Sequence, residues 1–117
     1  MISDLERTIV DGLKQPLHVG GITEVAKGLW MKHEQINVEK LIIYARKFQS
    51  GAVIRRLGYL LELYGLANTT QLKQLTDLLT MTTQRLDPTL PAEGRFVTRW
   101  RLQLNVTPEE LRAIRIG

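Results

Sequence analysis

The sequence predicts a mainly α domain with a small β element (α+β), a bundle of about five helices followed by a two-stranded ribbon and a short C-terminal helix. Apolar residues recur at three- and four-residue spacing over the first two thirds of the 117-residue chain. That is the period of a helix with one buried face. Capping residues, prolines and glycines fall between those stretches, where helices start and stop. Near the C-terminus the pattern changes to strict alternation, the period of a half-buried strand.

Ser3-Asp4-Leu5-Glu6 has the form of a capping box, and Leu5, Ile9 and Leu13 then carry a first helix to about Lys14, where Pro16 stops it. Gly20-Gly21 opens a turn, and Ile22, Val25, Ala26, Leu29 and Trp30 form one face of a second helix with His33-Glu34-Gln35 at its polar end. Asn37 caps a third, buried through Leu41, Ala45 and Phe48, with Ile42 and Tyr44 beside them. Ser50-Gly51 breaks the pattern. A fourth helix carries Val53, Leu57, Leu60, Leu61 and Tyr64 on one stripe, and Gly65 stands where a left-handed C-terminal residue is wanted. Arg55, Tyr59 and Glu62 project from the opposite face, and Arg56 lies on the flank. Thr69 or Thr70 starts a fifth helix with Leu72, Leu75, Leu78 and Leu79.

Asp87-Pro88-Thr89-Leu90-Pro91 is too proline-rich for a helix interior, and Glu93-Gly94-Arg95 reads as loop. Residues 99–106 then alternate without a fault. Trp100, Leu102, Leu104 and Val106 point inward; Arg99, Arg101, Gln103 and Asn105 point outward. A lone strand leaves its backbone unpaired, so residues 83–86 are the expected partner. Thr107-Pro108-Glu109-Glu110 is a second capping box, with proline at the first position of the last helix. No linker, repeat or low-complexity tract divides residues 1–117, which read as a single domain.

The 44% apolar content is that of a globular protein, and no apolar run is long enough to cross a bilayer. The first residues lack the basic segment and apolar run of a secretory signal, and the chain has no cysteine, so the expected compartment is the cytoplasm. His18 and His33 are far apart and neither has a ligand-spaced partner, so no metal is expected. Gly20-Gly21 lacks the lysine and the preceding strand of a phosphate loop. Ser3 and Ser50, the only serines, sit where capping or turn roles explain them, and the paired carboxylates Glu109-Glu110 suit a helix N-terminus. The chain is therefore not expected to be an enzyme or to carry a cofactor.

The formal net charge is +4. Its distribution is uneven. Residues 40–61 hold five cations (Lys40, Arg46, Lys47, Arg55, Arg56) and no acid, and residues 95–101 hold Arg95, Arg99 and Arg101 with none. Such patches attract phosphate backbones or acidic proteins. Arg46, Lys47 and Arg55 surround the turn between the third and fourth helices and suit contact with phosphates. Arg56, flanking the buried stripe, suits an internal pair with a carboxylate. Arg95, Arg99 and Arg101 make a basic ledge on the ribbon. The two tryptophans fall on apolar faces and read as core, so no platform for stacking bases is expected.

Several segments, taken in order, resemble the C-terminal domain of AbiEi-type antitoxins and transcriptional regulators. Residues 3–11 (SDLERTIVD) are similar to its "PER-T-hydrophobic-D" opening, and Gly20-Gly21 with the second helix fits the next step. Residues 52–62 (AVIRRLGYLLE) resemble its most recognisable stretch, and Leu86-Asp87-Pro88 with residues 100–106 (WRLQLNV) resemble its closing motifs. The resemblance implies the antitoxin half of a prokaryotic type IV toxin–antitoxin pair linked to abortive infection and phage defence. It implies a functional partner, a nucleotidyltransferase-like toxin, countered without a stable complex. It also implies DNA binding through a basic surface in a full-length protein carrying an N-terminal winged helix-turn-helix, absent from this chain. By residue match, Arg55 and Arg56 carry over as contacts, and Gly58 and Leu61 as packing positions.

Two other readings stand beside this one. In the first the chain is an oligomerisation or effector domain of a regulator with no direct nucleic-acid contact, pairing with a copy of itself through a strand edge or the Leu-rich fifth helix. In the second the third and fourth helices, with the ribbon as wing, read DNA by themselves.

Overall fold

The computed structural model describes residues 4–116. Its elements in order are α1 (Leu5–Lys14), a 3-10 turn (Pro16–Val19), α2 (Ile22–Met31), α3 (Val38–Lys47), α4 (Gly51–Tyr64), α5 (Thr69–Thr76), β1 (Gln84–Arg85), β2 (Phe96–Val97), β3 (Leu102–Gln103) and α6 (Pro108–Ala113). The α+β class and the helix order expected from the sequence hold. The ribbon does not: the sheet has three strands in the order β1-β3-β2, with β1 parallel and β2 antiparallel to β3.

Most helix ends are made by the side chains expected to make them. Asn37 accepts from the Lys40 amide, Ser50 from Val53 and Thr107 from Glu110. Gly65 closes α4 at φ 67°. Ser3 lies outside the described residues, and Asp4 is the residue that caps α1, accepting from the Arg7 amide. Asn68 and Gln71 form a reciprocal box at the start of α5. That helix ends at Thr76, so Leu78 and Leu79 lie beyond it.

Acidic residues of α1 fasten it to α3. Glu6, buried, accepts from the Asn37 amide at 2.9 Å, and Asp4 accepts from the Tyr44 hydroxyl. Lys40 sits 3.4 Å from Asp4 and 3.5 Å from Glu6. The Tyr44 hydrogen bond, with the Arg7 amide and Lys40, draws the Asp4 carboxyl down to about 2.

The central helix is α4, with every residue from Val53 to Leu61 buried. The stripe expected to be buried faces α1, α3 and α5. The face expected to be wet is covered by the C-terminal segment. Trp100, wholly buried, lies on Gly58, where even a Cβ would overlap its ring. Its indole Nε1 donates to Glu62 Oε1 at 2.8 Å.

The alternation at 99–106 survives in burial but not in backbone. Trp100, Leu102, Leu104 and Val106 are all buried, yet only Leu102 and Gln103 form a ladder. Arg101 is left-handed (φ 52°) and closes a turn by donating its amide to Thr98 O, so Trp100 reaches the core from a hairpin bend. Before it, Asp87 is buried where two halves of the fold meet. Its Oδ2 accepts from the Ile22 amide at 3.0 Å, capping α2 from 65 residues away. Its Oδ1 takes Thr89, and its backbone is held at both ends by the Asn105 amide. A carboxylate at a helix N-terminus is favoured by the exposed amides and the dipole together.

Two predictions follow from this packing. On helix propensity alone, Gly58→Ala gains roughly 1 kcal/mol. Here the methyl meets the Trp100 ring, and we expect a net loss of about 1–3 kcal/mol in urea unfolding. A stabilised variant would mean that Trp100 does not sit in that slot. Asp4, whose carboxyl is held below its ordinary 3.8, contributes stability above that pH and loses it as pH falls towards about 2. The stability difference between the native chain and Asp4→Asn should therefore shrink over that window. A difference unchanged down to pH 2 contradicts the Asp4–Tyr44 contact.

Candidate functional site

Of the seven cations singled out from the sequence, two are core residues. Arg55 and Arg56 are 1% and 3% exposed. Arg55 Nη2 donates at 2.6–3.2 Å to the carbonyls and hydroxyls of Thr80 and Thr82. Arg56 spans two elements, giving Nη1 to Leu13 O at 2.8 Å and both Nε and Nη2 to Arg85 O at 3.1 Å. Burial draws the Arg56 guanidinium down to about 10, partly offset by the Asp87 charge, so it stays cationic at neutral pH. Neither is a surface contact for phosphate. The expected carboxylate partner of Arg56 is also replaced: carbonyl oxygens receive its hydrogen bonds.

This corrects the sequence expectation, and the physical reason is local. Residues 80–86 pair in a ladder only through β1 with β3, and the carbonyls of Thr80, Thr82 and Arg85 face the arginines of α4. An arginine supplies several donors in a fixed fork and keeps its charge. A signal was present in the sequence. From Val53 to Leu61, α4 has no acid and is apolar on nearly every side apart from its arginines, as a helix buried all round is. The same burial overturns the idea that α4 enters a DNA groove.

The other five remain at the surface. Arg46 and Lys47 are exposed at the end of α3, with Lys47 5.9 Å from the Tyr44 ring centroid. Arg101 is half-buried, and its charge, after burial itself, lowers the proton affinity of Arg55. Arg55 Nη1 in turn lies against Gly51. Arg46 and Lys47 sit side by side where α3 runs into the α3–α4 turn, and neither they nor Arg101 has an ion-pair partner among the described residues. Arg99 is exposed but spent: its Nε is 2.7 Å from Glu62, and the guanidinium stacks over Trp100. Arg95 is exposed and lines a hollow beside α6.

That hollow was missed from the sequence. It measures about 290 Å³ and opens between α4, the sheet and α6, lined by Tyr59, Glu62, Leu63, Arg95, Val97, Leu104, Pro108 and Arg112. Tyr59, read as a solvent-facing residue, is 6% exposed, and its hydroxyl has no hydrogen-bond partner. Arg112 went unremarked because α6 was read only for its capping box. Elsewhere, no group of three or more metal-ligating side chains occurs among the described residues. No described helix is long and apolar enough to cross a membrane.

Comparison with family models, curated proteins and solved structures gave no match for this chain.

The two classes of arginine should separate on mutation. Arg56→Met leaves Leu13 O and Arg85 O without their donor, and a loss of about 1–3 kcal/mol is expected in denaturant unfolding. Arg46→Gln and Lys47→Gln should stay within about 0.5 kcal/mol of the native chain. Equal effects at both kinds of site would contradict the burial of Arg56.

Proposed function

We propose that this chain is a regulatory antitoxin domain of the type IV kind. It counters a nucleotidyltransferase-like toxin without a stable complex, and it supports DNA binding through exposed cations rather than bond chemistry. The observation that carries this is that the resembling segments interlock in space. Gly21 and Ile22 meet Asp87, and Asp87 is held by Asn105. Arg56 meets Arg85 O, and Gly58 and Glu62 receive Trp100. Motifs scattered over the sequence thus act as one docking surface, which supports reading the likeness as that of a whole domain.

The means of contact then shifts from Arg55 to the α3–α4 corner. Arg46 and Lys47 are exposed, adjacent at the end of α3 and unpaired among the described residues, an arrangement suited to neighbouring phosphates, and Arg101 is likewise unpaired. Support for self-association is thinner. The fifth helix spends Leu72 and Leu75 on the core, and the strand edges are two residues long.

The test is in cells that express the toxin encoded beside this chain. The triple variant Arg46→Glu, Lys47→Glu, Arg101→Glu should lose rescue while keeping its thermal unfolding midpoint. In gel shifts the salt slope of DNA binding should fall by roughly one for each phosphate contact removed. Full rescue by the triple variant, or a neighbouring reading frame that encodes no nucleotidyltransferase-like protein, would overturn the proposal.

A further inference from the structure

The hollow beside Tyr59 is built unlike the rest of the surface. Tyr59, in its lining, holds a buried hydroxyl with no partner, and among the described residues the one other buried side-chain polar atom without a partner is Arg55 Nε. A phenol that is not hydrogen-bonded costs free energy in proportion to its burial. Phenylalanine would remove that cost, so the oxygen invites a ligand acceptor. The hydroxyl's surroundings are charged. Apart from burial, which pushes its proton affinity up, the groups that act on it are Arg112, Arg95, Glu109 and Glu62.

The two acids do not cancel the two arginines. Glu62 is occupied on both oxygens, by Trp100 at 2.8 Å and by Arg99 at 2.7 Å. Glu109 is exposed in the first turn of α6. Arg95 and Arg112 are exposed and have no carboxylate partner among the described residues. A second hollow, of about 360 Å³, shares Arg95, Leu104 and Pro108 with the first, so the two run together with Arg95 at the join. The first is near the lower end of the range for small-molecule sites, roughly 300–1,000 Å³. Val97, Leu104 and Pro108 give it apolar walls.

We propose that this groove is an oxyanion site that takes a phosphoryl group, with Arg95 and Arg112 as the cationic clamp and the Tyr59 hydroxyl as a neutral donor in its lining. Guanidinium forks match the oxygens of a phosphate, and a phenol O–H adds a directional bond that a bare charge patch lacks. The second hollow accepts whatever carries the phosphate. The site does not depend on the α3–α4 corner and stands or falls separately from it. The phosphoryl group belongs either to a small phosphorylated molecule or to a nucleic-acid backbone.

The experiment is a titration of the full chain with inorganic phosphate and with adenosine 5′-monophosphate, followed by the arginine Nε–Hε resonances at constant ionic strength. Arg95 and Arg112 should shift saturably with both probes and not with chloride, while Arg46 stays still. Tyr59→Phe should weaken binding about fivefold, the order of one hydrogen bond to a charged acceptor, with thermal stability unchanged or raised. Arg112→Gln should abolish saturation. Duplex DNA added to the phosphate complex distinguishes the sources. Displacement assigns the site to backbone phosphate; retention of the bound probe assigns it to a small molecule. A linear response shared with chloride, or Tyr59→Phe binding as tightly as the native chain, overturns the proposal.

Discussion

The guanidiniums of Arg55 and Arg56 lie between a finished helical bundle and a C-terminal segment that has almost no regular structure of its own. Three two-residue strands do not make a stable sheet. What holds residues 80–106 in place is the face of α4: donors for the carbonyls at 80, 82 and 85, a slot at Gly58 for an indole, and an acceptor at Glu62. Asp87 completes the arrangement from the other side by capping α2. Remove the arginines and those carbonyls lose the hydrogen bonds that tie the segment to α4.

This use of arginine changes how the charge of the protein is understood. The formal excess of cations is partly internal, because the buried Arg55 and Arg56 give their hydrogen bonds to the protein's own carbonyls. Lys40 is held by Asp4 and Glu6, and Arg99 by Glu62. Of the cations read from the sequence as contacts, those that stay unpaired among the described residues are Arg46 and Lys47 at the α3–α4 corner, Arg101 on the turn before β3, and Arg95, which lines the groove with Arg112. An acid-free stretch of sequence is therefore a poor guide to a basic surface. Arg55 and Arg56 stand free of acids here because they serve backbone oxygens.

How much of this was legible before the structure depends on how local the cause is. Caps at Asn37, Ser50 and Thr107, the stop at Pro16 and the left-handed Gly65 follow from interactions within a few residues, and they appear where the sequence places them. The buried set of 100, 102, 104 and 106 was equally clear, because alternation reports burial whether or not a ladder forms. The missed features are all non-local. Arg55 and Tyr59 look solvent-facing on an isolated helix, and they become core residues only when the chain from Thr80 onward folds back, 25 or more positions away for Arg55. The strand β2 has two residues and no pattern to detect, and the hollow at Tyr59 exists only because α6 packs beside it.

The central claim is that Arg56 is a donor to the protein's own backbone and Arg46 is not. Hydrogen exchange of arginine side-chain protons, measured by nuclear magnetic resonance on the full chain near neutral pH, reads it without mutation. The Arg56 Nε–Hε proton should exchange orders of magnitude more slowly than that of Arg46, with scalar coupling across the hydrogen bond to the Arg85 carbonyl. Equal, fast exchange at both would mean that the C-terminal segment is not docked through α4.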